Sequence, residues 1–328
     1  MSFDAVRLMA PTVNESQRRV LEPAWRTLES TWRSISTNLH AGSKTSGPRS
    51  VTVDRMQQLT TTTNRPDGHD WEEAGDAWGR RATDWACLFE HYATDAIFAI
   101  FDELGVGAGT RMLDVACGSG LAIRYATARG ADAAGLDAAV SLVDIARTRV
   151  PDADVRLGDM FELPWDDETF DAVTSINGIW GGCDAALREA FRVLRPGGRI
   201  GISFWGTGRP LDIRTCFRAF AMNSPRDHVA GMKRTNDISG DGVAEAMLAA
   251  AGFTVLGRDH RISTIEWPDP DTAWRAVSSL GPAVPALAHV GDEALRPLVL
   301  ESLESCRDAH GIYRLRSEQQ FVIAEREV

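Results

Sequence analysis

Three aspartates and a pair of glycines carry the chemistry that reads most directly from this 328-residue sequence. The stretch MLDVACGSGLAIRYA joins an apolar strand to a helix through a turn holding Gly118 and Gly120, with Asp114 just ahead of it. Glycines there let the backbone approach a ligand, and the following helix presents free N–H groups. No Lys-Ser/Thr pair follows, so the turn is not a nucleotidase phosphate loop. It also departs from the dinucleotide GxGxxG pattern at Ala116 and beyond Gly120, which favours a compact ligand over a pyrophosphate. Asp137 in AAGLDAA and Asp159 in RLGDM close the next two apolar runs. One aspartate in such a place is ordinarily a solvated turn or a helix cap, whereas three at successive strand ends can line a single crevice.

The elements that must position these residues follow from the apolar pattern. From Trp71 a helical stretch runs through Trp78, Trp85 and Tyr92 to Phe101, ahead of the turn GVGAG. Apolar runs at 111–117, 131–137, 153–159, 170–176 and 199–205 then alternate with helical segments near 120–129, 139–149 and 184–194. This alternation predicts an α/β fold with a Rossmann-like, doubly wound, mostly parallel sheet, and a ligand crevice at the carboxyl ends of the strands. After Trp205 come a lid-like stretch, a helix DGVAEAMLAAAGF stopped at Gly252, and strand candidates at 253–267 and 312–325. That makes about seven strands, the last expected to be antiparallel. A helical lid or substrate insert is expected over about 207–311, within a domain spanning 71–328.

Residues 1–70 read as an N-terminal extension. Leu21, Trp25, Leu28, Trp32 and Ile35 recur at helical spacing, and residues 41–70, including TTTTNRP, have the Ser/Thr/Gly/Pro bias of a disordered linker. The extension either docks on the domain or precedes a start near Met56.

Lys+Arg 35 against Asp+Glu 46 leaves a net charge of −11, a field that repels polyphosphate and disfavours nucleic acid as a partner. The five cysteines form no CxxC pair or Cys/His ligand set, so they read as reduced thiols and no metal site is expected. No segment has signal-peptide or membrane-span character, so no membrane partner and a cytoplasmic location are expected.

The turn DVACGSG resembles the first motif of the class I S-adenosylmethionine (SAM)-dependent methyltransferases. The run LPWDDETFDAVTSINGIWGG, followed by LREAFRVLRPGGRIGISFW, is similar in order to the rest of that family's sheet, and the wording LPWDDETFD resembles the ubiquinone- and menaquinone-biosynthesis type. The resemblance covers roughly residues 75–206. It implies SAM as cofactor, with Asp114 helping to position the methionine moiety and the backbone of Ala116, Cys117, Gly118, Ser119 and Gly120 passing beneath the cofactor. It further implies Asp137, followed by Ala138, accepting from the ribose hydroxyls, and Asp159 with Met160 at the adenine. Asn177 and Gly178 leave the fourth strand beside the expected sulfonium. Trp85, Tyr92 and Trp180 are the candidate substrate residues, each with the alternative of ordinary packing.

The sequence SINGIWG lacks the Asn/Asp-Pro-Pro-aromatic tetrad with which amino-methylating DNA enzymes grip a base, so a small-molecule acceptor is expected. Whether it accepts on O, N or C stays open. His91, His228 and His260 read as surface or core histidines, and no catalytic base is assigned. A SAM-fold enzyme of another reaction type and a non-catalytic SAM-binding partner protein share the same cofactor half. The Trp/Pro-rich insert has the composition of a lid, and equally that of a homodimer interface.

Overall fold

Buried on both faces, the apolar runs have no reason to alternate in polarity, and they form the centre of a sheet. A computed structural model describes residues 69–208, 210–226 and 236–327. The helix expected within 14–39 and nearly all of the linker at 41–70 lie outside those residues. The strands are β1 (Arg111–Val115), β2 (Asp132–Asp137), β3 (Asp154–Leu157), β4 (Phe170–Ile176), β5 (Leu194–Trp205), β6 (Thr254–Trp267) and β7 (Tyr313–Glu325). They lie in the order β3-β2-β1-β4-β5-β7-β6. The first five pair in parallel, and β7 runs antiparallel to both β5 and β6. The expected Rossmann-like sheet with an antiparallel last strand is therefore present.

The helices are α1 (His69–Gly79), α2 (Thr94–Leu104), α3 (Leu121–Ala128), α4 (Val140–Arg149), α5 (Asp184–Val193), α6 (Arg214–Met222), α7 (Val243–Ala250), α8 (Pro270–Ser278), α9 (Val284–Val290) and α10 (Asp292–Ser302). One core cluster joins residues of α2, α3, α4, α6, α8 and α10 on one side of the sheet, and a second joins α5 and α7 on the other. In α2, Ile97, Ile100, Phe101 and Leu104 form the buried stripe. Gly105, at φ 68°, ends that helix, and the Val106 N–H returns to the Phe101 carbonyl at 2.9 Å.

Four boundaries differ from the sequence reading. The helix expected from Trp71 to Phe101 breaks at Gly79, whose carbonyl accepts from the Ser141 hydroxyl at 2.7 Å instead of from the next turn. The chain then passes through short turns at Ala82–Asp84, Trp85–Phe89 and Glu90–Ala93 before α2 begins. Strand β5 starts at Leu194 because the RPGG turn bulges within the ladder, pairing Leu194 with Phe170. Asp159 stands two residues past the short β3. The 207–311 insert is two segments, because β6 belongs to the sheet and pairs with β7 from Thr254↔Glu325 to Trp267↔Tyr313.

Close approach of elements depends on particular glycines. A Cβ on Gly201 in β5 would lie 2.4 Å from Ile100 of α2 and 3.2 Å from Ile323 of β7, whereas one on Gly257 in β6 would meet nothing within 4 Å. Gly201→Ala should therefore lower the stability measured by urea unfolding by about 1–3 kcal/mol through overpacking. Gly257→Ala, the matched control, should be neutral or slightly stabilising, and equal losses in both variants would refute this packing account.

Candidate active site

The parallel strands bring the carboxyl ends of β1, β2, β4 and β5 to one edge, and the glycine turn crosses it. Ala116 there has φ 58°, left-handed for a residue with a side chain, and Gly118 and Gly120 follow at 54° and 79°. A Cβ on Gly178 would fall 2.4 Å from the Ala116 Cβ, so the glycine after β4 makes room for alanine in the β1 turn. Gly120 is equally constrained, since a Cβ there would lie 2.9 Å from Ala146 of α4. Asp137 fastens the turn: its Oδ2 accepts from the Gly118 N–H at 2.7 Å and its Oδ1 from the Ala139 N–H at 2.8 Å.

Two of the three predicted aspartates form a buried pair of carboxyls. Asp114 is 2% exposed and accepts from the Thr174 hydroxyl at 2.7 Å, and Asp137 is 8% exposed. Burial pushes the Asp114 carboxyl up to about 7, with the Thr174 hydrogen bond opposing the rise and nearby Asp137 adding to it. Burial also raises Asp137, against the pull of its backbone N–H donors. Neither forms an ion pair with a described residue. Asp159 is more open; its Oδ1 accepts from the Phe161 N–H at 2.9 Å, and burial raises it. Met160 is buried and belongs to the core cluster that holds Leu113, Leu136 and Leu163.

An aromatic wall stands over this edge. Trp85 meets Trp78 edge-on at 5.1 Å and stacks on Phe89 at 5.3 Å, and its indole nitrogen lies 3.7 Å from where a Gly118 Cβ would be. Tyr92 stacks on Trp205 at 4.7 Å, and Trp205 meets Phe217 of α6 edge-on. The Tyr92 hydroxyl lies beside Asn177, and burial raises its pKa far above the ordinary phenol. Asn177 has φ 57°; its N–H donates to the Ser203 carbonyl at 3.0 Å, and the Ser203 hydroxyl donates to its Oδ1 at 3.3 Å. Trp180 does not join this wall, since it packs into the core cluster on the other side of the sheet.

Sequence reasoning passed over Glu90, Arg149 and Trp205. Glu90 is 7% exposed and accepts from the Ser119 hydroxyl within the glycine turn. Arg149 of α4 approaches its other oxygen at 2.6 Å and also donates to the Ser119 carbonyl at 3.1 Å. This network ties the segment before α2 to the turn. Burial pushes the Glu90 carboxyl up to about 7, against the pull of Arg149 and, farther off, Arg124. The only signal in the sequence is one acid inside the apolar run WACLFEHYA. Farther along, Trp267 donates its indole N–H to the Leu88 carbonyl at 2.9 Å, and Arg81 and Arg275 pair with Asp292 and Asp84. The β6–β7 insertion is thereby joined to the same N-terminal segment.

Residues 113–202 match the family profile described as a methyltransferase domain. Among curated relatives, a demethylmenaquinone methyltransferase of Mycobacterium bovis is 33% identical over 168 residues, which is 50% of this chain and 69% of that protein. The chain belongs to the class I SAM-dependent methyltransferases. A demethylmenaquinone methyltransferase of Renibacterium salmoninarum is 27% identical over 56% of this chain and 70% of its own length. One from a Mycobacterium sp. is 35% identical over 37% of this chain, which spans only about half (53%) of that relative. The solved structure of Haemonchus contortus phosphoethanolamine N-methyltransferase 2 with S-adenosyl-L-methionine superposes with a TM-score of 0.44, at 19% identity, covering 71% of this chain and 53% of that one.

SAM is the cofactor of this methyltransferase family, and the residues at the strand ends fit it. The molecule carries a sulfonium and an ammonium, and the site offers two buried carboxylates with no described cationic partner. A carboxylate has about four lone-pair positions, so Asp137 keeps acceptor capacity after serving Gly118 and Ala139.

The Glu90 network gives a measurable expectation. Glu90→Ala removes one member of a largely buried ion pair and leaves the Ser119 hydroxyl without its acceptor and Arg149 with backbone carbonyls but no counter-charge, which should cost about 3 kcal/mol in chemical denaturation at pH 8. A raised carboxyl pKa means that burying Glu90 opposes folding more as pH rises from the ordinary carboxylate range through about 7. Glu90→Gln should flatten that part of the stability–pH curve, and a curve of unchanged slope would contradict the assignment.

Proposed function

We propose that this chain methylates an uncharged, planar, oxygen-bearing small molecule held between the glycine turn and the aromatic wall. The buried pair Asp114 and Asp137 carries the reading, because two carboxylates desolvated together want a cationic ligand. Asp114 faces the ammonium of the methionine moiety, Asp137 accepts from the ribose hydroxyls, and Asp159 with Met160 serves the adenine. The backbone from Ala116 to Gly120 runs under the cofactor, Ala138 borders the ribose, and Asn177 with Gly178 borders the sulfonium.

SAM supplies an electrophilic methyl group. The protein's part is to hold the acceptor atom in line at about 3 Å and to exclude water. Trp85 and Trp205, half-buried and backed by the buried rings of Phe89 and Tyr92, provide the flat apolar surface for that task. Tyr92, kept protonated by burial, is a hydrogen-bond donor and not a base. His91 and His260 are exposed and His228 lies outside the described residues, so no histidine is assigned as a base and proton removal from the acceptor is left to solvent.

The relatives' names support a quinol-type ring as acceptor, and the charge of −11 supports a small molecule over nucleic acid. A cytoplasmic location is part of this proposal; among the described residues no helix is long and apolar enough to cross a membrane. A homodimer is the other use of the insertions' apolar faces, and sedimentation that varies with protein concentration would reveal it.

Calorimetric titration of SAM tests the site. Cation binding favours ionised Asp114, so wild-type affinity should fall as pH drops through about 7, where that carboxyl takes up its proton. Asp114→Asn should bind roughly tenfold to a hundredfold more weakly at pH 8, from the loss of about 1.5–3 kcal/mol for a charged hydrogen bond. The gap should close toward pH 6. Equal affinities at pH 8 in a folded variant would remove Asp114 from the site.

A further inference from the structure

Gln319 in β7 is fully buried, and neither its Nε2 nor its Oε1 has a hydrogen-bond partner among the described residues. A leucine or methionine would fill that volume without desolvating an amide, so the glutamine opposes folding there unless a bound group completes it. Its place in the ladder says where that group would sit. Gln319 pairs with Trp205 at the carboxyl end of β5, where the chain leaves the sheet toward α6. It lies an even number of residues from Tyr313, Leu315 and Phe321, which belong to the core cluster containing Tyr92 and Phe220, so it points to the same face as they do, the one bearing the aromatic wall.

A second amide shares that face. The Asn177 Nδ2 is buried and makes no complete hydrogen bond to a described residue, although it faces the Tyr92 hydroxyl, while its Oδ1 accepts from the Ser203 hydroxyl. Asn177 borders the Tyr92 hydroxyl, and Tyr92 stacks on Trp205, directly opposite Gln319 in the ladder. One wholly unsatisfied amide and one whose NH2 faces only the Tyr92 hydroxyl thus flank one stacked aromatic pair at the strand ends. The groups left to a ligand are the Gln319 NH2 and carbonyl and the second N–H of Asn177, with no charged side chain in the pair.

We propose that Gln319 and Asn177 recognise the oxygen substituents of the methyl acceptor, as specificity-determining residues of the methyl-transfer site. Their NH2 groups donate to a ring carbonyl or hydroxyl oxygen, and the Gln319 Oε1 accepts from a ring hydroxyl. The chemical class selected is an uncharged, flat ring bearing carbonyl or hydroxyl groups; a carboxylate or phosphate would meet no cation from these two residues. The proposal rests on the methyl-transfer reading and adds the group that discriminates among acceptors.

The test uses the full chain loaded with S-adenosylhomocysteine and titrated with 1,4-naphthoquinone, with naphthalene as the oxygen-free comparison. Gln319→Leu should weaken naphthoquinone binding about tenfold or more, leave naphthalene and SAM affinities within twofold of wild type, and raise the unfolding temperature of the ligand-free protein. Gln319→Met serves the same purpose if the leucine variant does not fold, and Asn177→Asp should also lose naphthoquinone affinity. Unchanged naphthoquinone affinity in the glutamine variants, with wild type binding the ring, would overturn the role of Gln319 and leave the methyl-transfer reading standing. A wild-type protein that binds SAM but neither ring would overturn the aromatic-acceptor reading and this proposal together.

Discussion

Asp137 is the point on which the cofactor half of the molecule depends. One carboxylate, buried at the end of β2, holds the β1 turn through Gly118 and the start of α4 through Ala139. Because both donors are backbone groups, the bonds fix chain paths and not merely side-chain positions. Ala116 is held in a left-handed conformation that a residue with a side chain seldom visits, while Gly118 and Gly120 take up similar φ values without that cost. The same carboxylate lies close enough to Asp114 to raise its pKa, so the interaction that shapes the turn also charges the site.

The N-terminal segment is coupled to this turn through a second buried carboxylate. Glu90 reaches Ser119, one residue from Gly118, while Arg149 reaches both Glu90 and the Ser119 carbonyl. Trp85 and Tyr92, on either side of Glu90 in the chain, face the site. The wall that would cover an acceptor is therefore anchored to the loop that would carry the cofactor, and the β6–β7 insertion is anchored to the wall through Trp267. Disturbing any of these anchors should alter both binding steps.

Much of this was legible in the sequence where chemistry coincides with strand ends. Asp114, Asp137 and Asp159 announce themselves because a charged residue closing an apolar run is conspicuous, and the alternating runs give the parallel sheet and its crevice. Less legible were residues whose significance lies in a distant partner. Glu90 reads as one acid in an amphipathic helix until α4 brings Arg149 to it. The break at Gly79 depends on Ser141, 62 residues away, taking the carbonyl that a continuing helix would have used. Trp180 and Trp85 look alike in the sequence, yet the sheet separates them, because a side chain's face after a loop is set by packing and not by spacing.

The central claim is that two carboxyls whose pKa values burial has raised stand at the strand ends to receive a cationic ligand. Calorimetry of SAM binding at pH 7 in buffers of differing ionisation enthalpy tests it most directly, because the observed heat then reports proton transfer. Binding of the cation should lower the Asp114 pKa and release a fraction of a proton to the buffer, and S-adenosylhomocysteine, which lacks the sulfonium charge, should release less. Heats that do not depend on the buffer between pH 6 and 8, with SAM bound normally, would contradict the account.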